Sequence, residues 1–500
     1  MKSIKYIFVL LMFFSTSCSD WLEMEPVGEK FESNFYQTEE DIFQGLVAAY
    51  SLLQPKYYNN WSSYYFLSNF PSDDAEVVGG GSGDRPEYHA VSNFTMLPTN
   101  TAILELWRRG FFGVYRANLV ILNANPEASD KSKEYIAEAK FLRAYYYFEL
   151  VRFFGDVPLI TKQLVPDEYD QPRVAASLVY NQIIKDLQEA IPDLAVSPSE
   201  NYRATKGAAQ ALLGKAYLYM ASPYYHQKYG FEKSRTEYYE LAVEQFMDIY
   251  GLYQLEPIYD NIWRYEYEHG RESIFEIEYG NIARGGDWGN GRVNGGNIDV
   301  QMSGPRGIST DTLNAGWGFD MVSTDLIALY DAEGDVVRKY GTAYGEAFLL
   351  SIGATSWDKN EGYTGWFSKK RAPWAHITFS SSAEWNYETN ERVIRYGDVL
   401  LMMAEAVLGS GTGNPDLYFN EVRQRAGLTP ISGVTLDDIK KERRLELAME
   451  GFRYFDLVRW GDAPSVLGSS GFVEGIHEVF PIPQDEIINS NYALKQNDGY

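Results

Sequence analysis

The chain has 500 residues, of which 45% are hydrophobic and 23% are charged, and it contains no low-complexity tract. This composition is typical of a folded protein and excludes a disordered or fibrous chain. The formal net charge of −25 disfavours binding to nucleic acid or to an anionic surface, because phosphate groups would be repelled. A neutral ligand such as a sugar is compatible with this charge.

The N-terminus has the features of a secretion signal. Lys2 and Lys5 precede an apolar run at 7–14, and small residues follow as far as Ser17. The run is much shorter than the ~20 residues that a membrane-spanning helix needs. Removal of residues 1–17 would delete two lysines and no acid, so the net charge would change from −25 to −27.

Cys18 is the only cysteine of the chain, so no intramolecular disulfide can form. Its position directly after the small residues resembles a bacterial lipoprotein processing site, where the cysteine is diacylated. The alternative is an ordinary signal peptide with an incidental cysteine. Asp20, Glu23 and Glu25 resemble the acidic export signal of surface-exposed lipoproteins of Bacteroidetes. We therefore predict lipidation at Cys18 and an outer-membrane protein that faces outward.

The first part of the mature chain predicts two amphipathic helices separated by an irregular segment. Residues 39–53 begin with acids, as helix N-termini favour, and residues 101–122 have helical periodicity. Residues 56–83 are rich in tyrosine and end in a glycine run. No Lys-Ser/Thr pair follows these glycines to complete a phosphate-binding loop, so we predict a flexible surface loop here.

Residues 134–158 contain the A-x₃-F-x₂-A pattern of a tetratricopeptide repeat helix, formed by Ala137, Phe141 and Ala144. Residues 178–190 predict the partner helix of this unit.

The unit recurs further along the chain. Residues 213–217 match L-G-x₂-Y, and Ala242 and Phe246 match the second helix of the repeat. A single helix pair cannot bury its own apolar face, so the recurrence predicts pairs stacked as a superhelix.

Residues 280–318 differ sharply from the helical part, with eleven glycines and little periodicity. A loop of this length inside a compact domain is usually functional. The high content of glycine and tryptophan continues to about residue 387, interrupted by a predicted helix at 324–331.

The C-terminal part is predicted to be helical again. Residues 393–408 are apolar nearly all round, which indicates a central buried helix. Asn414 precedes a proline at the first position of the next helix, and Thr435 with Asp438 resembles a capping box.

The capping box opens a stretch at 440–461 with an apolar face. Arg453, Asp456 and Arg459 are spaced three apart, which predicts a ladder of charges beside that face. Gly451 is unfavourable within a helix, so we predict a close contact or a break there.

Four blocks of the chain resemble one known family. They are ERRLELAMEGFRYFDLVRWG at 442–461, EAKFLRAYYYFELVRFFGDVPLI at 138–160, the spacing of Trp107, Tyr115 and Asn118, and the C-terminal FPIPQDEIINSNYALKQNDGY. These blocks resemble the SusD/RagB family, the surface nutrient-binding lipoproteins of Bacteroidetes.

The resemblance implies a mainly α fold, a tetratricopeptide-like superhelix of helical pairs with long irregular loops and few short strands. It implies a signal peptide at 1–17 and a single SusD-like domain at 18–500. Within this domain we expect a tetratricopeptide-rich part at about 18–265, a loop-rich ligand-binding part at about 266–390 and a C-terminal helical part at about 391–500. The implied partner is a SusC-like TonB-dependent transporter, and no cofactor is expected.

The tryptophans divide into two groups. Trp107, Trp263 and Trp460 lie in helical patterns, which predicts core packing. The others lie in irregular segments, and at least two of them are expected to line a ligand surface; they are Trp61, Trp288, Trp317, Trp357, Trp366, Trp374 and Trp385.

An aromatic plane can cover the C–H face of a sugar, while carboxylate, amide or guanidinium groups bond its hydroxyls. From loop position and chemistry alone we predict six ligand-binding residues: Trp61, Trp288 and Trp317 as platforms, with Asp73, Arg85 and Asn290 as polar partners.

Several functions remain open at this point. Peptide capture, as in the RagB branch, needs strand edges or carboxylate clamps more than flat platforms, so the loop tryptophans favour a glycan. A glycoside hydrolase would need paired carboxylates, for which Asp73, Asp74 and Asp287 are available. The chain has five histidines, and none is at metal-ligand spacing from another. A purely structural transporter subunit is the remaining alternative.

Overall fold

The structure is a computed structural model that describes residues 35–54, 62–280, 295–377 and 387–500. Helices of the first half are α1 (Glu39–Tyr50), α2 (Tyr64–Asn69), α3 (Pro86–Ser92), α4 (Thr101–Asn123), α5 (Ser132–Phe154), α6 (Ala176–Ala190), α7 (Lys206–Ala221), α8 (Pro223–Tyr229) and α9 (Arg235–Ile249). Those of the second half are α10 (Ile298–Ser303), α11 (Thr324–Glu333), α12 (Val336–Thr342), α13 (Glu346–Ser351), α14 (Tyr396–Ser410), α15 (Pro415–Arg425), α16 (Leu436–Leu447), α17 (Arg453–Trp460), α18 (Ala463–Leu467) and α19 (Gln484–Asn489). Within these ranges, no helix has both the length and the apolar character needed to cross a bilayer.

The long helices pack as one continuous row. Helix α4 packs against α5, α5 against α6, α6 against α7, and α7 against α9. The row continues from α9 to α14 and from α14 to α15. Each of these helices buries one face against its predecessor and another against its successor, as stacked helix pairs do. The prediction of a mainly α, tetratricopeptide-like superhelix is confirmed.

The repeat motif explains the close approach of α7 and α9. A Cβ atom placed on Gly214 would lie 2.5 Å from a ring carbon of Phe246, which is inside van der Waals contact. The ring is completely buried. The L-G and A-x₃-F elements of the sequence pattern are therefore the two sides of one contact, in which glycine admits the ring.

Two antiparallel sheets lie among the helices. Strands β1 (Ala75–Val77), β3 (Asp320–Val322), β5 (Trp366–Ser368) and β4 (Ala343–Gly345) form the first sheet in that order. Strands β2 (Ser273–Ile277) and β6 (Glu391–Arg395) form the second.

These strands correct three sequence-based expectations. Residues 56–83 are not wholly irregular, because α2 and β1 lie within them. The Gly/Trp-rich part up to residue 387 contributes β3, β4 and β5, and residues 393–395 belong to β6 and not to the following helix. A strand of three residues is too short to show an alternation of apolar and polar positions.

The C-terminal stretch forms α16 and α17, with Gly451 between them. Thr435 Oγ1 accepts from the Asp438 amide at 3.3 Å, and the Thr435 amide donates to Asp438 Oδ2 at 3.0 Å. This is the predicted capping box. Gly451 has φ +78°, and a Cβ atom there would lie 2.3 Å from Ser68 Oγ. The close contact and the break between helices are both confirmed.

The predicted ladder of charges is only partly present. Arg459 Nε lies 2.8 Å from Asp456 Oδ1, as the spacing suggests. Arg453 pairs instead with Asp73, whose Oδ1 lies 2.7 Å from the Arg453 Nε. The charges of this stretch are also mostly buried, since their partners come from other parts of the chain.

One hydrophobic core joins the two ends of the chain. Buried side chains from α1, α5, α14, α17 and the C-terminal segment contact one another in a single cluster; examples are Leu46, Phe141, Val399, Phe455 and Ile482. The loops that follow β1 and precede β3 project from this body, and they form the surface described next.

Candidate ligand-binding loop face

Three loop segments meet on one side of the four-stranded sheet. They are residues 78–85, 304–318 and 357–360, and we call this surface the loop face. The Gly79 amide donates to the Gly318 carbonyl at 2.8 Å, which extends the pairing of β1 and β3 into the loops. The segments are far apart in sequence, so only the sheet brings them together.

Arg306 is the polar centre of the loop face. Its Nη1 lies 2.8 Å from Asp84 Oδ2, and its Nε lies 3.7 Å from Asp358 Oδ2. The Asp358 amide donates to the Arg306 carbonyl at 2.9 Å. All three side chains keep between 34% and 49% of their surface exposed. They therefore hold one another in place while the guanidinium and both carboxylates remain accessible to a ligand.

Trp317 lies beside this cluster. Its amide donates to the Gln301 carbonyl at 2.8 Å, and its carbonyl lies 3.5 Å from Arg306 Nη1. The indole is half-buried and packs against the main core. A partly exposed ring can stack on a sugar while neighbouring charged groups bond the sugar hydroxyls.

Arg85 lies next to Asp84 in the same segment. It adopts the left-handed conformation, with φ +56° and ψ +61°, as the residue before α3. Its Nη1 lies 3.4 Å from Glu87 Oε1. The structure places Arg85 in the loop face, and a ligand contact by this residue remains a prediction.

Asp73 lies at the opposite end of β1 from Gly79. Arg453 Nε and Arg444 Nη2 lie 2.7 Å and 2.9 Å from its two carboxylate oxygens. Burial favours the neutral acid, but the hydrogen bond and charge of Arg453 and the charge of Arg444 outweigh it and lower the pKa of Asp73. The structure does not bring Asp73 together with Trp317, so a ligand contact there remains a prediction.

The neighbouring carboxyl group, Asp74, bears on the hydrolase alternative. Burial raises the pKa of Asp74, which is a property that a general acid needs. However, the side chain is completely buried and its Oδ1 lies 2.7 Å from Arg444 Nε. A bound polysaccharide could not reach this group without local unfolding.

Four other predicted residues, Cys18, Trp61, Trp288 and Asn290, lie outside the described residues, as do Trp385 and Asp287. The described residues that flank 281–294 contact each other, because the Gly280 amide donates to the Gly295 carbonyl at 2.8 Å. The proposed roles of these residues remain predictions.

Sequence reasoning missed Arg306, Asp84 and Asp358. The only signal for them was the position of charged residues beside glycine in the loops, as in Arg306-Gly307 and Gly83-Asp84. With 69 acidic and 44 basic residues in the chain, that signal could not single them out.

The division of the tryptophans is confirmed where the structure describes them. Trp107, Trp263 and Trp460 are buried, with 3%, 7% and 6% of their surface exposed. The described loop tryptophans are all half-buried; they are Trp317, Trp357, Trp366 and Trp374.

Comparisons with known proteins agree with this fold. Residues 344–473 match the SusD family, and residues 20–218 match a family described as "Starch-binding associating with outer membrane". SusD-like protein P2 of Formosa agariphila is 28% identical over 542 residues, which covers 100% of both chains.

Two solved structures are similar over nearly the whole chain. A "Laminarin binding SusD-like protein" is 35% identical with a TM-score of 0.81, covering 93% of this chain and 100% of its own. Surface glycan-binding protein A from Bacteroides thetaiotaomicron, in complex with laminarihexaose, is 30% identical with a TM-score of 0.81, covering 92% and 99%. These relatives are named as binding proteins. The sequence identity, the coverage and the shared fold together show that the chain belongs to the SusD family.

Proposed function

We propose that the protein binds an oligosaccharide at the cell surface and passes it intact to a SusC-like TonB-dependent transporter. The observation that carries the ligand class is the half-buried indole of Trp317 beside Arg306, Asp84 and Asp358. The mixture of one cation and two carboxylates around an aromatic plane suits a ligand rich in hydroxyl groups.

The relatives support a more specific ligand. One solved relative is described as laminarin-binding and another was solved with laminarihexaose. Both are at least 30% identical to this chain. We therefore propose a laminarin-type glucan as the ligand of the loop face.

The sequence features of the N-terminus and the family description support the location. We propose that Cys18 carries the lipid anchor and that the protein lies on the extracellular side of the outer membrane. The helical row would then provide the surface that contacts the transporter. Bound sugar needs no cofactor and undergoes no bond cleavage in this scheme.

Calorimetric titration tests the proposed ligand. The wild-type chain is titrated with laminarihexaose, maltohexaose, xylohexaose and a pool of mixed peptides. We expect laminarihexaose to bind, and we expect Trp317→Ala and Arg306→Ala each to weaken that binding about tenfold. The loss of one stacking or one charged hydrogen bond is worth roughly 1–2 kcal/mol, which corresponds to that factor.

Tyr115→Ala is the matched control, because this tyrosine is 45% exposed on α4, outside the loop face. Binding of peptides and of no sugar would replace the glycan proposal with the peptide alternative. Release of new reducing ends from laminarin during long incubation would contradict the proposal that sugar is passed on intact.

Affinity purification from outer membranes tests the proposed partner. The full-length lipoprotein, tagged at its C-terminus, is extracted in mild detergent, and we expect a large β-barrel transporter to co-purify in a fixed ratio. Recovery of the lipoprotein alone under conditions that preserve known outer-membrane complexes would contradict this part of the proposal.

A further inference from the structure

A second aromatic surface lies along β4, the edge strand of the four-stranded sheet. Two adjoining cavities of about 690 Å³ and about 160 Å³ open there, and Lys369 lines both. Cavities of this combined size are typical of small-ligand sites. We call this surface the edge groove, and its defining residues are Tyr265, Tyr340, Phe348, Trp366, Lys369 and Trp374.

Lys369 forms a fixed ridge between the two cavities. Its Nζ lies 2.6 Å from Asp260 Oδ1 on one side and donates to the Tyr340 carbonyl at 3.0 Å on the other. Only 21% of its side chain is exposed. Because the ammonium is held from both sides, the groove keeps a defined shape at its centre.

Aromatic rings line both cavities of the groove. Phe348 and Trp374 are in edge-to-face contact, with centroids 6.1 Å apart, so the floor continues beneath the ridge. Tyr340 lines the larger cavity and Tyr265 the smaller one, with 54% and 42% of their surface exposed. Rings of this exposure, held beside half-buried Trp366, offer flat surfaces at which a sugar can stack.

The charged groups around the groove balance one another. Arg264 Nη2 lies 2.6 Å from Asp260 Oδ2, and His376 Nε2 lies 3.6 Å from Glu266 Oε1. Glu346 lines the larger cavity, and its Oε1 lies 2.8 Å from Lys359 Nζ. With Lys359 and Lys369, the groove and its border hold three cations and three carboxylates, in contrast to the net charge of −25 of the whole chain. A rim without excess charge favours a neutral ligand.

Trp263 adds an unused hydrogen-bond donor. Its side chain lines the smaller cavity and is 7% exposed. Its indole Nε1–H has no hydrogen-bond partner within the part of the chain that the structure describes. Buried donors are nearly always paired. The nitrogen is itself buried, so a ligand hydroxyl oxygen would become its acceptor after a small displacement of the indole toward the cavity.

We propose that the edge groove is a second carbohydrate-binding site, which takes a neutral oligosaccharide independently of the loop face. It shares the ligand class of the proposed function but none of the residues assigned to the loop face. The two surfaces are neighbours, because Trp357 Nε1 in the loop-face segment 357–360 donates to the hydroxyl of Tyr363, which lines the larger cavity, at 2.7 Å. An apolar protein segment fits less well, because it would remove the ion-paired rim from water without supplying hydrogen bonds.

Stoichiometry and paired variants test this proposal. Wild type, Trp317→Ala, the double variant Tyr265→Ala/Tyr340→Ala and the control Tyr169→Ala are titrated calorimetrically with laminarihexaose, cellohexaose, xylohexaose and mannohexaose. Tyr169 is 61% exposed and lies outside the edge groove. All four tyrosine and tryptophan changes are checked by thermal unfolding before use.

We expect two binding events per chain for at least one sugar. The double variant should lose one of them, with at least a tenfold weakening, and Trp317→Ala should lose the other. A single event that disappears in Trp317→Ala and is unchanged in the double variant would overturn the second site but leave the proposed function intact. Binding that survives Trp317→Ala and disappears in the double variant would support the edge groove and move the principal site there.

A conservative change separates a ligand contact from a structural role. Trp263→Phe keeps a buried ring but removes the indole N–H. We expect it to weaken only the event that the double variant abolishes, by about threefold to tenfold, with an unchanged melting temperature. If Trp263→Phe binds at both sites with the same affinity as wild type, the assigned donor role is contradicted, with or without a change in melting temperature.

Discussion

Glycine is favoured at position 451 for two reasons, the backbone conformation there and the lack of space for a side chain. Its φ of +78° lies in the left-handed region, and the space beside it is filled by Ser68 Oγ. An added Cβ would strain the backbone and collide with α2. Gly461 ends the next helix with a similar φ of +81°, but nothing lies within 4 Å of its added Cβ.

We predict that Gly451→Ala destabilises the protein by about 3 kcal/mol, because left-handed strain and overpacking add. Gly461→Ala, which has the strain alone, should cost about 1 kcal/mol. Urea unfolding with tryptophan fluorescence measures both. Equal costs for the two variants would show that the contact with Ser68 is not limiting.

At the scale of elements, buried ion pairs join α17 to the helical row. Arg459 Nη1 and Nη2 lie 2.5 Å and 2.7 Å from the two carboxylate oxygens of Glu405 on α14. Its Nε lies 2.8 Å from Asp456 Oδ1. These groups are almost completely removed from solvent, so each charge depends on its partner.

We predict that Arg459→Met destabilises the protein by about 3–5 kcal/mol, because the Glu405 carboxylate would remain buried without a cationic partner. The double variant Arg459→Met/Glu405→Gln should be more stable than the single one. The glutamine keeps an acceptor for Trp460 Nε1, which now donates to Glu405 at 3.0 Å. Strictly additive losses in a double-mutant cycle, measured by urea unfolding, would contradict this coupling.

At the scale of the whole molecule, the loop face and the edge groove both depend on the four-stranded sheet, while the long helices of the row share one core. The core runs from α1 to the C-terminal segment. This arrangement lets the loops differ in sequence without loss of the scaffold. The proposed N-terminal anchor would be a separate property, because Cys18 precedes the first described helix in sequence.

We predict that Cys18→Ala moves the protein from the membrane fraction to the soluble fraction, because the acyl chains would be absent. Glycan binding should be unchanged, since the core begins with α1. Detergent phase partitioning and cell fractionation provide the measurement. Thr16→Ala, which keeps a small residue next to the processing site, is the control. Membrane retention of the Cys18 variant in the absence of a transporter would contradict lipid anchoring.

Much of the scaffold could be predicted from sequence, because its signals are local. The helices at 101–122, 134–158 and 178–190, the capping box at Thr435 and the break at Gly451 all depend on periodicity or on capping within a few residues. The repeat motif also predicted the pairing of α7 with α9, which only α8 separates along the chain. In each case the required information lies within one or two turns of helix.

The candidate binding surfaces could be predicted only in part. Trp317 was named as a candidate from its loop position, and Trp366 and Trp374 of the edge groove were among the loop tryptophans, whereas Arg306, Asp84 and the groove as a whole were not predicted. Asp73 was predicted as a polar partner of the ligand; it pairs with Arg444 and Arg453 at the far end of β1, and its ligand contact remains a prediction. Strands of three residues leave no periodic signal, and their pairing determines which loops come together.

The sequence by itself determined the stacked helices and the family, because helical periodicity, capping and the motif blocks depend only on residues that are close in sequence. The tertiary structure alone decided which charges are buried in pairs and which stay accessible around an indole. Those outcomes depend on contacts between segments hundreds of residues apart, where the hydrogen-bond register of a short sheet sets the position of every loop.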